Sequence, residues 1–165
     1  MATGRTVSRW FKFQVDDSAG TVRDIPVNTI NDIGLTYEEA DVSALQDAIR
    51  TSLPNMPDCT ITIGGPFSNL AATAASGTGA APALSGSHTV LTGINGLSVP
   101  LTLGVYMGIR GYWATGDPCF GLTSSATVGF VCTNYTVNPS DMTYTAQFKV
   151  FAGSTAPAWG SAAFT

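Results

Sequence analysis

His88 is the one histidine of the chain, so any Ser-His-Asp triad would have to use it as the general base. It lies in the segment Gly-Ser-His-Thr, and no Gly-x-Ser-x-Gly motif is present to supply a nucleophile. We therefore interpret His88 as a surface or interface residue rather than a catalytic one.

Glu38, Glu39 and Asp41 could supply the paired carboxylates that glycosidic acid–base chemistry needs. They precede a predicted helix, where negative charge complements the helix dipole, and this role is favoured over a binding role. The three cysteines fit neither a disulfide framework nor a metal site, so we expect them to be buried and reduced. The chain is thus predicted to be no enzyme and to use no metal or cofactor.

The elements that must position these residues are mostly short strands separated by Gly, Pro and Asn, about eight in number. His88–Ile94 is one of the predicted strands. The hydrophobic period becomes helical only over residues 42–53, and Pro54 would end that helix. The predicted fold is therefore mainly β: an antiparallel β-sandwich or rolled barrel with one flanking α-helix at about residues 42–53.

Residues 59–109 contain no Asp, Glu, Lys or Arg, and charged residues make up only 11% of the chain. About a quarter is usual in globular proteins, and charges mostly lie on the surface. Much of this segment should therefore form neutral surface, or surface covered by another copy of the chain. The net charge of −4 disfavours nucleic-acid binding, and no apolar run reaches the length of a membrane span or of a signal peptide.

We expect a single domain over residues 1–165, with an N-terminal arm (1–8), a long loop of small residues (68–87) and a C-terminal tail (152–165). The loop and the termini contain too few large side chains to order by themselves, so they should become ordered on assembly. The candidate residues for an assembly interface are Arg5, Trp10, Leu70, Leu84, His88, Trp159 and Phe164.

The order of several short motifs along the chain resembles that of a known family. Ile25-Pro26-Val27 and Ile33-Gly34 precede Asp41-Val42-Ser43, and a small-residue loop follows. The chain then ends with a predicted hairpin from 133–137 to 144–149 and a tail containing Ala156-Pro157-Ala158-Trp159-Gly160. This arrangement resembles the major tail tube proteins of long-tailed, siphovirus-like bacteriophages.

The resemblance implies a structural virion protein, made in the bacterial host cytoplasm and located in the tail. Hexameric rings would stack into a tube, contact other tail proteins and let DNA pass without sequence-specific binding or a membrane anchor. Such a channel should carry few Lys or Arg, and Glu38, Glu39 and Asp41 are candidates for its acidic surface.

Three alternatives remain at this point. The chain could be another phage structural protein, such as a head decoration, head–tail joining or tail terminator protein. It could instead be a β-sandwich that binds carbohydrate through Tyr112, Trp113 or Trp159. A hydrolase comes third, since acids and bases at suitable spacing are missing.

Overall fold

The structure is a computed structural model, and it describes residues 11–44, 49, 52–73, 85–109 and 112–165. Within these ranges the elements, in chain order, are β1 (Phe11–Asp16), β2 (Val22–Asp24), β3 (Thr29–Ile30), β4 (Thr36–Asp41), β5 (Ser52–Asp58), β6 (Thr60–Pro66), α1 (Ser87–Ile94), β7 (Leu103–Met107), β8 (Cys119–Leu122), β9 (Phe130–Asn138), β10 (Thr143–Val150) and β11 (Ala158–Gly160).

Two antiparallel sheets enclose the core. One has the strand order β11-β8-β7-β1-β2 and the other β3-β6-β10-β9, while β4 and β5 pair only with each other. Alternate residues of both sheets point inwards, and Phe13 of β1 meets Phe148 of β10 with ring centroids 5.7 Å apart. The predicted fold, a mainly β antiparallel sandwich with one flanking helix, is confirmed.

The helix, however, is α1, and the prediction of a strand at His88–Ile94 was wrong. Val90, Leu91 and Ile94 are all buried, which a helix achieves on one face. A strand would have placed Leu91 opposite the other two. α1 packs beside β9, and Asn95 forms a parallel bridge to Cys132.

The helix predicted at residues 42–53 is wrong in its described part, because β4 ends at Asp41 and Ser52 begins β5. Ile49 and Leu53, which that helix would have buried, are 76% and 59% exposed. An amphipathic helix is stabilised mainly by burial of its apolar face, and these two side chains are not buried. Leu53 and Pro54 lie instead in β5, opposite Ala40 and Glu39 of β4. An edge strand tolerates Pro54 better than a helix interior would. Residues 45–48, 50 and 51 lie outside the described part.

β4 and β5 form a two-stranded sheet of their own, separate from the four-stranded sheet. Thr36 pairs with Asp58 and Asp41 with Ser52, with an irregularity in the register between Tyr37 and Glu39. Only Cys59 separates β5 from β6 along the chain. We call β4–β5 the distal hairpin, and it is almost wholly exposed.

The C-terminal tail packs on its own chain, and its ordering on assembly stays a prediction. β11 pairs with β8, the Gly116 amide donates to the Ser161 carbonyl, and Phe164 lies beside Tyr106. The described ends of the 68–87 loop are also held: the His88 amide donates to the Ser68 carbonyl. Residues 74–84, including Leu84, and residues 1–10, including Arg5 and Trp10, lie outside the described residues.

Candidate assembly surface

No group of three or more His, Cys, Asp or Glu side chains that could hold a metal ion occurs among the described residues. Asp16 is buried and accepts hydrogen bonds from the Thr102 amide (2.7 Å) and the Ser124 hydroxyl (3.1 Å). It lines a pocket of about 90 Å³, well below the volume of an ordinary ligand site. In the same part of the chain, no helix is long and apolar enough to span a membrane.

The outward face of the four-stranded sheet is neutral and rich in threonine. The outward residues of β10 lie on this face. Directly opposed residues of neighbouring strands share a face, so the partners of these residues on β6 and β9, and the β3 partner of β6, lie on it too. We call this surface the threonine face, and its members are Thr29, Thr60, Thr62, Gly64, Pro66, Val131, Asn134, Thr136, Asn138, Thr143, Thr145, Gln147 and Lys149. Lys149 is the only charged residue in the set. The surface is therefore polar enough for water but offers few groups that hold an ion.

The outward face of the five-stranded sheet differs, because the chain covers it. Tyr106 is 1% exposed: Trp113 packs edge-on against its ring at 4.8 Å, and its hydroxyl accepts a hydrogen bond from the Phe164 amide at 3.0 Å. The Lys12 ammonium lies 5.5 Å from the centre of the same ring and 4.0 Å from the Asp24 carboxylate. We call this surface the tail-covered face.

Partial burial changes the acid–base properties of the tail-covered face. Burial raises the pKa of Asp24 to about 6, although Lys12 opposes the shift. Burial also lowers the pKa of Lys12, against the attraction of Asp24. Each member of this pair is thus less readily charged than in water.

The distal hairpin β4–β5 exposes large apolar side chains together with carboxylates. Met56 is 84% exposed, and Tyr37 and Leu53 are more than half exposed. Glu38, Glu39 and Asp41 all lie on β4, so they belong to a strand and not to a helix start. A projecting apolar and acidic ribbon is typical of a surface that another molecule covers.

Sequence reasoning missed how strongly charge is divided along the chain. Residues 32–58 hold six of the 11 acidic residues and one of the 7 basic ones, so five acidic and six basic residues remain elsewhere. The hairpin region thus carries all of the net negative charge. Counting charge in windows along the sequence would have revealed it.

Among the other predicted interface residues that the structure describes, Leu70 lies beside the start of the helix that carries His88, because its carbonyl accepts hydrogen bonds from the Gly86 amide and the Thr89 hydroxyl. His88 is half-buried on α1, where its Nδ1 lies 2.9 Å from the Tyr135 hydroxyl and its ring 4.8 Å from that of Phe67. Leu70 is 56% exposed, as is Trp159 on the edge strand β11. Phe164 is half-buried against its own chain. These residues do not form one cluster.

The aromatic platform considered for carbohydrate is divided as well. Trp113 packs on Tyr106 and donates its indole N–H to the Asp117 carbonyl, whereas Trp159 packs on Phe120 with ring centroids 5.1 Å apart. Both rings therefore contribute to the fold, and only Tyr112 is largely exposed without such packing.

The three cysteines are buried and free. Burial raises the pKa of Cys59 and of Cys132 to about 11, and it also raises the pKa of Cys119. Because the thiolate is the reactive form, these side chains are inert at neutral pH. The prediction that the cysteines are buried is confirmed.

No protein-family model matches the chain, and no curated protein matches it. Several solved structures, in contrast, are similar to this chain. A sheath/tube terminator of an extracellular contractile injection system aligns with a TM-score of 0.53 at 9% identity, over 90% of this chain and 93% of that one. A chain of the sheath–tube complex of such a system aligns with 0.53 at 8%, over 96% and 93%.

The tube-terminating cap of an anti-feeding prophage aligns with a TM-score of 0.57 at 7% identity, over 96% of this chain and 92% of that one. At such low identity, these likenesses establish a shared fold. The fold extends over nearly the whole of each chain.

Proposed function

We propose that this protein is a self-assembling structural subunit of a phage-tail-like tube. The observation that carries the proposal is the β4–β5 hairpin, which exposes Met56 and Leu53 to water together with the carboxylates of β4. A protein that works alone gains nothing from such an exposed ribbon, whereas a subunit of an assembly buries it. The fold shared with injection-system components supports the same role.

Within that role, the position at the end of a tube is favoured. Two of the similar structures are named as a terminator and a terminating cap, and they come from contractile injection systems rather than from long-tailed phages. The body of the tube is the second candidate, supported by the sheath–tube complex and by the motif order of the sequence. A subunit of the tube body would form hexameric rings whose channel lets DNA pass.

The threonine face suits the lining of a channel. A surface past which DNA moves must not bind phosphate, and Lys149 is the one cation on this face. If the face lines a channel, the tail-covered face is turned away from it.

Negative-stain microscopy of the purified protein distinguishes these positions. A tube-body subunit is expected to polymerise into long tubes, because its axial contacts leave an open end. A terminator is expected to stop at single rings, which would bind to the end of a tube supplied by a partner. A monomer at every concentration would contradict both forms of the proposal.

A further inference from the structure

Asp16, at the end of β1, is a buried carboxylate whose hydrogen bonds reach only one of its two oxygens. It is 3% exposed, and the Thr102 amide (2.7 Å) and the Ser124 hydroxyl (3.1 Å) both donate to Oδ2. No described residue donates to Oδ1. Among the described side chains only the Ser85 hydroxyl is both fully enclosed and without a partner, so Oδ1 is open to solvent. The pocket that Asp16 lines provides this opening.

The described part of the chain places no cation beside this carboxylate. Its lysine and arginine side chains are Lys12, Arg23 and Lys149. Arg23 bonds the neighbouring Asp17 at 2.7 Å, and Lys12 lies 4.0 Å from a carboxylate of β2. Lys149 belongs to the other sheet, on the threonine face. Because a buried charge is costly unless an opposite charge accompanies it, Asp16 is suited to a cation from outside the chain.

The pocket beside Oδ1 is narrow and has an apolar entrance. Its volume is about 90 Å³, space for about three water molecules. Leu97, Val99, Pro100 and Leu101 form one wall, and the first two are exposed at the surface while Asp16 is buried. This wall comes from the segment without charged residues. A molecule entering this pocket, which we call the Asp16 pocket, therefore meets apolar side chains first and the carboxylate last.

The groups that line the Asp16 pocket favour an ammonium group over other cations. Calcium takes about six to eight oxygen ligands, whereas the side chains here offer Oδ1 of Asp16 and the hydroxyls of Ser18 and Ser124. The Asp17 carboxylate is already bonded to Arg23 and to two backbone amides. A guanidinium group binds best to both oxygens of a carboxylate, and only one is free. The ammonium of lysine is a point charge on an apolar stem, which matches one free oxygen behind an apolar wall.

We infer that the Asp16 pocket holds a lysine side chain of a neighbouring protein, with the ammonium group at Oδ1 of Asp16 and the aliphatic stem against Leu97 and Val99. A second copy of this chain is not the donor, because its Lys12 is held beside a carboxylate and its Lys149 lies on the face assigned to the channel. The donor is therefore a different tail protein. That identification rests on the proposed function, whereas the preference of the pocket for an ammonium group does not.

Titration with n-butylammonium chloride, which carries the ammonium group and carbon chain of a lysine side chain, tests the pocket. In NMR spectra of the full-length protein, we expect saturable shifts of the Thr102 and Ser124 amide signals. D16N should weaken this binding about tenfold, because it removes the charge. n-Butanol, with the same carbon chain and no charge, should give no saturable shift. Equal binding of n-butanol, or tighter binding of calcium chloride at the same signals, would overturn the inference.

Two variants at the exposed entrance give a test that does not depend on the folding of D16N. V99K places a lysine where it can fill the pocket from within the chain, and V99Q is a neutral control. V99K should weaken n-butylammonium binding about tenfold, and V99Q less than about threefold. In thermal denaturation V99K should be more stable than V99Q, and this difference should disappear when both also carry D16N. Equal behaviour of V99K and V99Q would contradict the inference.

The source of the lysine is tested separately, by self-assembly in negative-stain microscopy. If copies of this chain supplied the ammonium group, filling the pocket (V99K) and removing the exposed lysine (K149Q) would both reduce assembly. We expect both variants to assemble like the wild type, and loss of assembly in both would overturn the assignment to a different protein. Binding of n-butylammonium by a protein that stays monomeric would refute the proposed function but not the pocket. Particles without such binding would refute the pocket alone.

Discussion

The outward side chains of the five-stranded sheet are covered by later residues of the same chain, whereas the four-stranded sheet leaves a row of threonines facing outwards. On the first, Tyr106 is enclosed by Trp113 and Phe164. On the second, Thr136 and Thr145 are exposed on neighbouring strands. One face is therefore covered by residues of its own chain, and the other has a surface that only water or another molecule can cover.

The largest difference between the two faces is expected when one side chain on each is truncated to alanine. Tyr106→Ala removes a buried ring that touches Trp113 and Phe164, and it should lower the free energy of unfolding by about 4 kcal/mol. Thr145→Ala removes an exposed side chain and should change it by less than about 0.5 kcal/mol. Urea denaturation monitored by tryptophan fluorescence measures both. Similar losses for the two variants would show that the faces are not different in kind.

The pH dependence of stability also distinguishes the two faces, because Asp24 belongs to the tail-covered face. Its pKa is raised by burial from an ordinary value of 3.8 to about 6 in the folded protein, so the folded state holds the proton more tightly than the unfolded state. The stability it contributes is therefore present below pH 4 and is lost as pH rises to about 6.

Between pH 7 and pH 4, the wild type should gain about 2 kcal/mol of stability relative to Asp24→Asn. Thr145→Ala changes no titrating group and should keep a constant difference from wild type. The measurement is urea denaturation of all three proteins at several pH values. A constant difference between wild type and the asparagine variant would refute the assignment.

The smallest effect is expected on the threonine face itself. Lys149→Gln removes its only charge, and the side chain is exposed with no ion pair among the described residues. The free energy of unfolding should change by less than about 0.5 kcal/mol. Thermal denaturation provides the test, and a large loss of stability would mean that Lys149 has a structural partner.

The sequence predicted the sandwich well where side chains alternate between core and surface. Phe11, Phe13 and Val15 alternate with polar residues in β1, and the terminal hairpin β9–β10 lies where expected. The charge-free segment was informative in part: Ile61, Ile63 and Leu91 from it are core, so burial within the chain accounts for much of the missing charge.

The failures share a cause. Residues 42–53 have a helical period, but the period indicates a buried face only if some surface covers it, and Leu53 is exposed on a strand. In the helix α1, the β-branched Thr89 and Val90 favoured a strand locally, while packing of Leu91 and Ile94 decided for a helix. The docking of Phe164 depends on a distant residue, Tyr106, which local patterns do not reveal.

Sedimentation velocity of the wild-type protein over a wide concentration range tests the central claim most directly. If the protein is a self-assembling subunit, other copies of this chain cover its exposed β4–β5 hairpin. The expected result is a shift from monomer to large, discrete particles as concentration rises. A single monomeric species up to the highest concentration would contradict it.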